Sequence, residues 1–339
     1  MKHKLPLLVT MGDPNGVGPE ITLRLLTKSV NVSRPIGVLG DLNVLQKAAD
    51  LLKIKSPLIS IQNPEDIFEA SKQGIAVLDV GLPFKENVKP GQISKAAGES
   101  SISWVHAATE LCLENRAAAM VTAPLCKEAV EQSVPGFQGH TEYIGAMCGE
   151  AEPVLCLVHQ DWVVAHISTH VSLAEACQRV KQERILKAGR LLNEFLVRYK
   201  KLKNPSIGVA GLNPHAGENG LFGTEEILEI IPALHTLNSE NINAKGPIPA
   251  DVLFPQLQSK LYDGALAMYH DQGHIVTKTL LFDLKNHKTR GVNTSLGLPI
   301  VRTSVDHGTG FDLAWKGLAS EDSLRDALEL ASILQGDAP

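Results

Sequence analysis

The stretch Ala265-Leu-Ala-Met-Tyr-His-Asp-Gln-Gly-His274 decides how the chain is read. An apolar run, Ala265 to Tyr269, stops at His-Asp-Gln-Gly-His. A run of that length before a glycine has the pattern of a buried strand. In α/β proteins, sites are built at the carboxyl ends of strands, so His270 and Asp271 are expected to emerge there. His270 and His274 stand four apart and would share a face if the segment were helical. Gly273 and the preceding strand speak against a helix, so His270 is expected to act alone. Two further histidines follow apolar runs. His170 closes Val163-Val-Ala-His-Ile-Ser-Thr-His170, and His215 sits in Gly211-Leu-Asn-Pro-His-Ala-Gly217 after Ile207-Gly-Val-Ala210. Any one of them alone is most often an ordinary core or surface histidine with a satisfied hydrogen bond. Three at strand ends suggest one convergent cluster, and three imidazoles hold a divalent metal while leaving positions for substrate. Asp271 is then a candidate for orienting a ligand.

The rest of the chain alternates strand and helix patterns, which implies a parallel sheet covered by helices. Leu5 to Thr10, Ile36 to Leu39, Ile75 to Val80 and Ala117 to Ala123 read as strands. Helices are expected over Ile21 to Lys28, Asn43 to Lys53 with Asp41 as cap, and Ser100 to Asn115. Pro83 to Ala97 reads as a loop. From about Leu125 the pattern changes. Val154 to His159 and Trp162 to Ile167 flank Gln160-Asp161, a hairpin signal. Leu173 to Tyr199 reads as one long helical stretch, Glu225 to Leu237 as another, and Ser320 to Leu334 as the last. Asn286 to Arg290 reads as a charged loop.

Composition narrows the partners. The 339 residues are 44% hydrophobic and 20% charged, an ordinary balance for a globular chain. A net charge of −5 and 4% aromatics supply neither a basic footprint nor stacking platforms, so no nucleic-acid partner is expected. No stretch reaches the length of a membrane span, and the start of the chain is too short in apolar residues for a signal peptide. The five scattered cysteines fit free thiols and a cytoplasmic setting.

Between the first strand and first helix stands Met11-Gly-Asp-Pro-Asn-Gly-Val-Gly-Pro-Glu20. Its glycines match neither the dinucleotide fingerprint nor the Walker pattern. The turn is read either as a ligand cradle, a reading to which Asp13 adds weight, or as plain packing. Gly139-His-Thr-Glu142 carries groups suited to a small polar ligand, or is a helix start with Thr141 as cap. Lys278, Arg290 and Arg302 are candidates for phosphate or carboxylate, Arg302 most of all because it follows Leu298-Pro-Ile-Val301. Thr303 to Gly310 is a nucleotide-facing loop or a polar turn.

Taken together, MGDPNGVGPE, VTAP (from Val121), GHTEY (from Gly139), STH (from Ser168), GLNPHAGENGLFGTEE (from Gly211), GPIPADVLF (from Gly246), YHDQGH (from Tyr269) and GVNTSLGLPIVRTSVDHGT (from Gly291) make the chain resemble the PdxA family, the 4-hydroxythreonine-4-phosphate dehydrogenases. The resemblance covers nearly the whole chain. It implies two α/β/α domains with a central cleft, of the isocitrate/isopropylmalate dehydrogenase type. The first is expected over 1–130 plus 300–339 and the second over 131–299. It also implies a homodimer with the active site at the interface, NAD or NADP as cofactor with no assignable binding residues, and one divalent ion, zinc, cobalt or magnesium. The implied metal ligands are His170, His215 and His270. The implied substrate residues are His140, Thr141, Lys278, Asn293 and Arg302, and Lys278 and Asp271 are the candidate bases. The implied reaction is oxidation of 4-phosphonooxy-L-threonine to a β-keto acid that loses carbon dioxide to give 3-amino-2-oxopropyl phosphate, in pyridoxal phosphate biosynthesis. Between Lys278 and Asn293 the chain is longer than the family pattern, which leaves room for a 4-phospho-threonate or cyclic dihydrodiol substrate. Phosphate acyltransfer and a non-catalytic metal-dependent binding protein are the rival classes.

Overall fold

A computed structural model of the protein describes residues 4–149, 152–283, 285 and 288–337. It divides into two compact units: 1–152 with 283–293 and 298–339, and 153–282 with 294–297.

The first unit is built on a parallel sheet. Its strands are β1 (Leu7–Thr10), β2 (Ile36–Leu39), β3 (Leu58–Ile61), β4 (Ile75–Leu78) and β5 (Ala119–Thr122), with a last one at Val301–Val305. The order is β3-β4-β2-β1-β5 and then Val301–Val305, all parallel. β1, β4 and β5 are buried along their whole length, as continuous apolar strands of a covered parallel sheet must be. Asp41 caps the helix Leu42–Leu52 as expected, accepting from the amides of Asn43 and Val44 at 2.9 and 3.0 Å. The long helix Lys95–Leu113 starts earlier than its apolar pattern, because Ser94 caps it. Trp104, Ile102 and Val105 on that helix join Leu8, Val38, Val77 and Met120 in the core.

Arg302 differs from expectation in position. It does not follow a strand; it is the second residue of Val301–Val305, paired with Met120 of β5 and 2% exposed.

The second unit holds β6 (Val154–His159), β7 (Trp162–His166), β8 (Ser206–Ala210), β9 (Asn243–Ile248) and β10 (Gly264–Ala267), in the order β6-β7-β10-β8-β9. β6 and β7 form the expected antiparallel hairpin. The other neighbours run parallel. One helical expectation is corrected here and a second is refined. Leu173 to Tyr199 is not one helix: Val180 and Lys181 leave the helical region and separate Leu173–Arg179 from Gln182–Lys200. The second helix is anchored at its own start, where Arg184 donates to Ile167 O at 3.0 Å and Pro153 O at 3.1 Å. Glu225 to Leu237 begins with a wide π turn, Glu226–Ile230, before the α-helix Ile231–Ser239. Pro232 has no amide to donate at that junction, which disfavours a regular ladder there.

The deciding stretch is also corrected. His270 does not stand in a loop: β10 is followed after two residues by the helix His270–Leu281. No helix among the described residues is long and apolar enough to cross a membrane, and the five cysteines are unpaired. Part of the 279–292 segment, Leu284, Asn286 and His287, lies outside the described residues.

Candidate active site

In the first unit, the glycine-rich turn is filled by its own chain. Asp13, Asn15 and Glu20 are fully buried. A Cβ at Gly12 would collide with Pro124 O, and one at Gly18 with Met11 O. Asn15 accepts from Lys89 N at 2.8 Å and donates to Gln92 O at 2.9 Å, while Val17 N donates to Thr309 O at 2.9 Å. Gly317 N donates to Glu20 Oε1 at 2.7 Å. These contacts make the glycines a packing device, where the sequence left a ligand cradle equally open. Asp13 is the unusual member. Its Oδ1 accepts from Asn15 N at 2.8 Å, and its Oδ2 is buried with no hydrogen-bond partner among the described residues. Burial pushes its carboxyl up from 3.8 to about 6, against the pull of the Asn15 and Cys126 amides.

Arg302 reaches from its strand to two threonines. Its Nη2 donates to Thr122 Oγ1 at 2.7 Å and its Nη1 lies 3.4 Å from Thr141 Oγ1. Burial lowers it to about 10, with Glu142 opposing the shift. Thr141 therefore faces Arg302 and does not cap the helix His140–Met147; Gly139 holds the cap position. Burial, then the charges of Arg302 and Lys127, hold His140 well below its ordinary value, so it is neutral at pH 7. Lys127 was not singled out from the sequence. A Cβ at Gly139 would lie 3.5 Å from its Nζ, so it stands at the same helix start. Its signal was its place just beyond the strand-end motif VTAP. Two cations around neutral His140 suit a phosphate or carboxylate. Asn293 is also in the first unit, and its buried Oδ1 lacks a hydrogen-bond partner among the described residues.

The second unit gathers imidazoles on the helix that follows β10. Two devices fix the start of that helix. Gln272 accepts from Met268 N at 2.7 Å and donates to Gly211 O at 2.8 Å. Gly273 lets the helix settle on β7, since a Cβ there would collide with His166 Nε2. His270, His274 and Lys278 then recur every four residues along one face. His270 Nδ1 donates to Asp271 Oδ1 at 2.6 Å, which leaves Nε2 with its lone pair. The His170 ring lies 5.8 Å from that of His270. Burial, then the neighbouring imidazoles and Lys278, push His274 down to about 2, and burial pushes His166 down to about 3. Lys278 Nζ sits 5.5 Å from the centre of the Phe282 ring.

His215 does not join His170 and His270. It belongs to the tight stretch Pro214–Gly220, where His215, Ala216, Gly217, Glu218 and Asn219 all have left-handed backbone. Its ring lies 6.1 Å from Phe222. Glu226, 1% exposed, holds the approach to this stretch: it accepts from the amides of Leu212 and Asn213 at 2.8 Å each, and from Asn213 Nδ2 at 2.9 Å. Among the described residues, no three His, Cys, Asp or Glu side chains are close enough together to hold a metal ion. The donor chemistry of the His170–His270 pair still fits a divalent ion. A histidine whose far nitrogen is bound by a carboxylate is the usual form of a metal-binding imidazole.

A cavity of about 800 Å³ lies elsewhere in the first unit, lined by Val80, Ile102, His106, Leu111, Val134 and Tyr143 among others. None of the candidate residues lines it. Several of its polar groups are already paired: His106 with Tyr143 at 3.0 Å and Glu110 at 3.3 Å, and Arg116 with Glu65, outside the lining, at 2.9 Å.

The family model described as pyridoxal phosphate biosynthetic protein PdxA matches residues 31–331. A D-threonate 4-phosphate dehydrogenase of Cupriavidus necator is 39% identical over 333 residues, covering 97% of each chain. A 4-hydroxythreonine-4-phosphate dehydrogenase of Zymomonas mobilis is 37% identical over 330 residues, covering 96% of this chain and 95% of the other. The crystal structure of a 4-hydroxythreonine-4-phosphate dehydrogenase from Klebsiella pneumoniae superposes with a TM-score of 0.82 at 37% identity, covering 98% of this chain and 100% of that one. An α/β fold that matches such a structure, together with sequence identity over nearly the full length, places the chain in the PdxA family.

Proposed function

We propose that the chain is an NAD(P)-linked dehydrogenase that oxidises the secondary alcohol of a phosphorylated four-carbon hydroxy acid. The candidates are 4-phosphonooxy-L-threonine, as in pyridoxal phosphate biosynthesis, and 4-phospho-D-threonate. The observation that carries this reading is the anion-seeking set on the first unit. Arg302 is buried and hydrogen-bonded to threonine hydroxyls, with Lys127 and neutral His140 at the adjoining helix start. His140, Thr141, Asn293 and Arg302 bind the phosphate and carboxylate ends.

His170 and His270 would hold a divalent ion, which would supply the Lewis acidity that lowers the pKa of the substrate hydroxyl. Asp271, which accepts the Nδ1 hydrogen bond of His270 through one oxygen, and Lys278 in its uncharged form are the two candidate bases for the hydroxyl proton. A bound nicotinamide would accept hydride from the same carbon, leaving a ketone β to the carboxylate. The bond to the carboxylate then breaks, carbon dioxide leaves, and the electron pair stays as an enolate that is protonated.

Two finer points belong to the same reading. The division into two α/β units supports the isocitrate/isopropylmalate dehydrogenase type of architecture. A second copy of the chain as partner is supported by the apolar side chains exposed around the His215 segment: Leu221 at 72%, Phe222 at 48% and Leu228 at 64%.

The test follows nicotinamide absorbance with metal-loaded protein, offering the two substrates side by side. Reduction of NAD(P)⁺ with one or both, abolished by a chelator and restored by metal, is the expected outcome. Absence of reduction with either would end the dehydrogenase reading, and reduction untouched by chelation would end its metal part.

A further inference from the structure

Nothing in the proposed chemistry uses the imidazoles behind His270. The His274 ring lies 3.6 Å from that of His270, with an angle of 8° between their planes. Behind it, the His166 ring lies 4.7 Å from His274. His166 is fully buried and His274 is 6% exposed, whereas the His270 side chain is 35% exposed. The row thus runs from the interior to the surface and ends on a candidate metal ligand.

We propose that His274 is a positioning residue for His270: the stacked ring fixes the plane in which His270 presents Nε2 to a divalent metal ion. The inference rests on the metal-dependent reading of this site.

Three observations carry it. First, His274 does not swing. Its Nδ1 donates to His270 O at 3.0 Å, and the His166 ring stands 4.7 Å from it. His166 is itself held, with Nδ1 facing Leu155 O at 3.4 Å. Second, the other support of His270 does not set its plane. Asp271 bonds Nδ1 but is 68% exposed and on the same turn. An exposed pair of this kind contributes little rigidity, so Asp271 fixes which nitrogen carries the proton, while the ring remains free to rotate. A flat neighbour in contact restricts that rotation. Third, His274 is not itself a ligand of the same ion. Imidazole lone pairs lie in the ring plane, and two nearly parallel rings with centroids 3.6 Å apart do not converge on one ion. Its value lies in its face, and Gly273 is what lets the helix settle beside His166 so that this row can form.

The experiment compares cobalt(II) binding to the full-length protein and to two variants, H274L and H274F, by visible absorbance and by competition with a chelator. Leucine fills the space without an aromatic face; phenylalanine keeps the face and loses the nitrogens. Expected is a loss of about 10- to 100-fold in cobalt affinity for H274L, the size of effect seen when support of a ligand is removed. H274F should stay near the wild-type affinity and keep its absorption maximum. Equal binding by H274L and wild type would overturn the inference, as would an equal loss in both variants, which would mean repacking. If H274L melts below the titration temperature, H274F decides alone: retention supports the stacking role and loss refutes it. A wild-type protein that binds no cobalt overturns the metal reading itself, and the positioning role with it.

Discussion

Asp13 shows how one side chain sets a pH dependence. Its carboxyl is raised from 3.8 to about 6, so the folded state holds the proton more tightly than the unfolded chain does. Wherever the native state binds more protons, stability falls as pH rises. The contribution is therefore complete below about pH 4, is lost as pH passes through 6, and above that leaves a buried, half-satisfied carboxylate. A shift of about two units corresponds to roughly 2–3 kcal/mol. D13N keeps the acceptor for Asn15 N and removes the charge, so it should be more stable than wild type at pH 7.5 by an amount of that order. The gain should shrink towards zero at pH 4, as read from urea midpoints at the two pH values. A difference independent of pH would refute the account. The sequence marked Asp13 as more than a turn residue, because the turn did not need a carboxylate. It did not reveal that the turn holding Asp13 packs against Pro124 and Thr309, which lie far along the chain. Arg302 is similar: its charge after an apolar run was legible, but its place inside a strand depended on pairing with β5.

At the scale of elements, strands were legible where apolar runs were bounded by turn residues, as in β1, β2, β6, β7 and β10. The helix His270–Leu281 was not, because Gly273 reads as a breaker. The preference of glycine against helix costs only about 1 kcal/mol, and contact with His166 overrides it. The left-handed stretch His215–Asn219 was equally hidden. Four of its five residues are not glycine, and such residues seldom hold this backbone. What holds it is tertiary, the Glu226 carboxylate in the wide turn ten residues on. E226A should release the segment, at a cost on the order of 3 kcal/mol for the lost charge-assisted hydrogen bonds. Hydrogen exchange at the Leu212 and Asn213 amides should accelerate by more than at β8. Unchanged protection of those two amides would remove Glu226 from the account.

For the whole molecule, family membership was legible from eight blocks in order, since no single one would have carried it. The three-histidine cluster was legible only in part: His170 and His270 come together, and His215 faces Phe222. Apolar side chains exposed beside His215 belong to the proposed contact with a second copy. Replacing Leu228, 64% exposed, by Asp should therefore convert a dimer to a monomer in size-exclusion chromatography with light scattering, leaving each unit folded. Its persistence as a dimer of wild-type mass would place the contact elsewhere. Gln272 has a consequence of another kind. Its amide bridges Met268 N and Gly211 O, so the start of the His270 helix and the end of the strand leading to His215 share one clamp. A fluctuation that separates the two segments must break the Gln272 bond to Gly211 O. The two segments are thereby geared together, so disturbance at one is transmitted to the other through a side chain that touches no ligand.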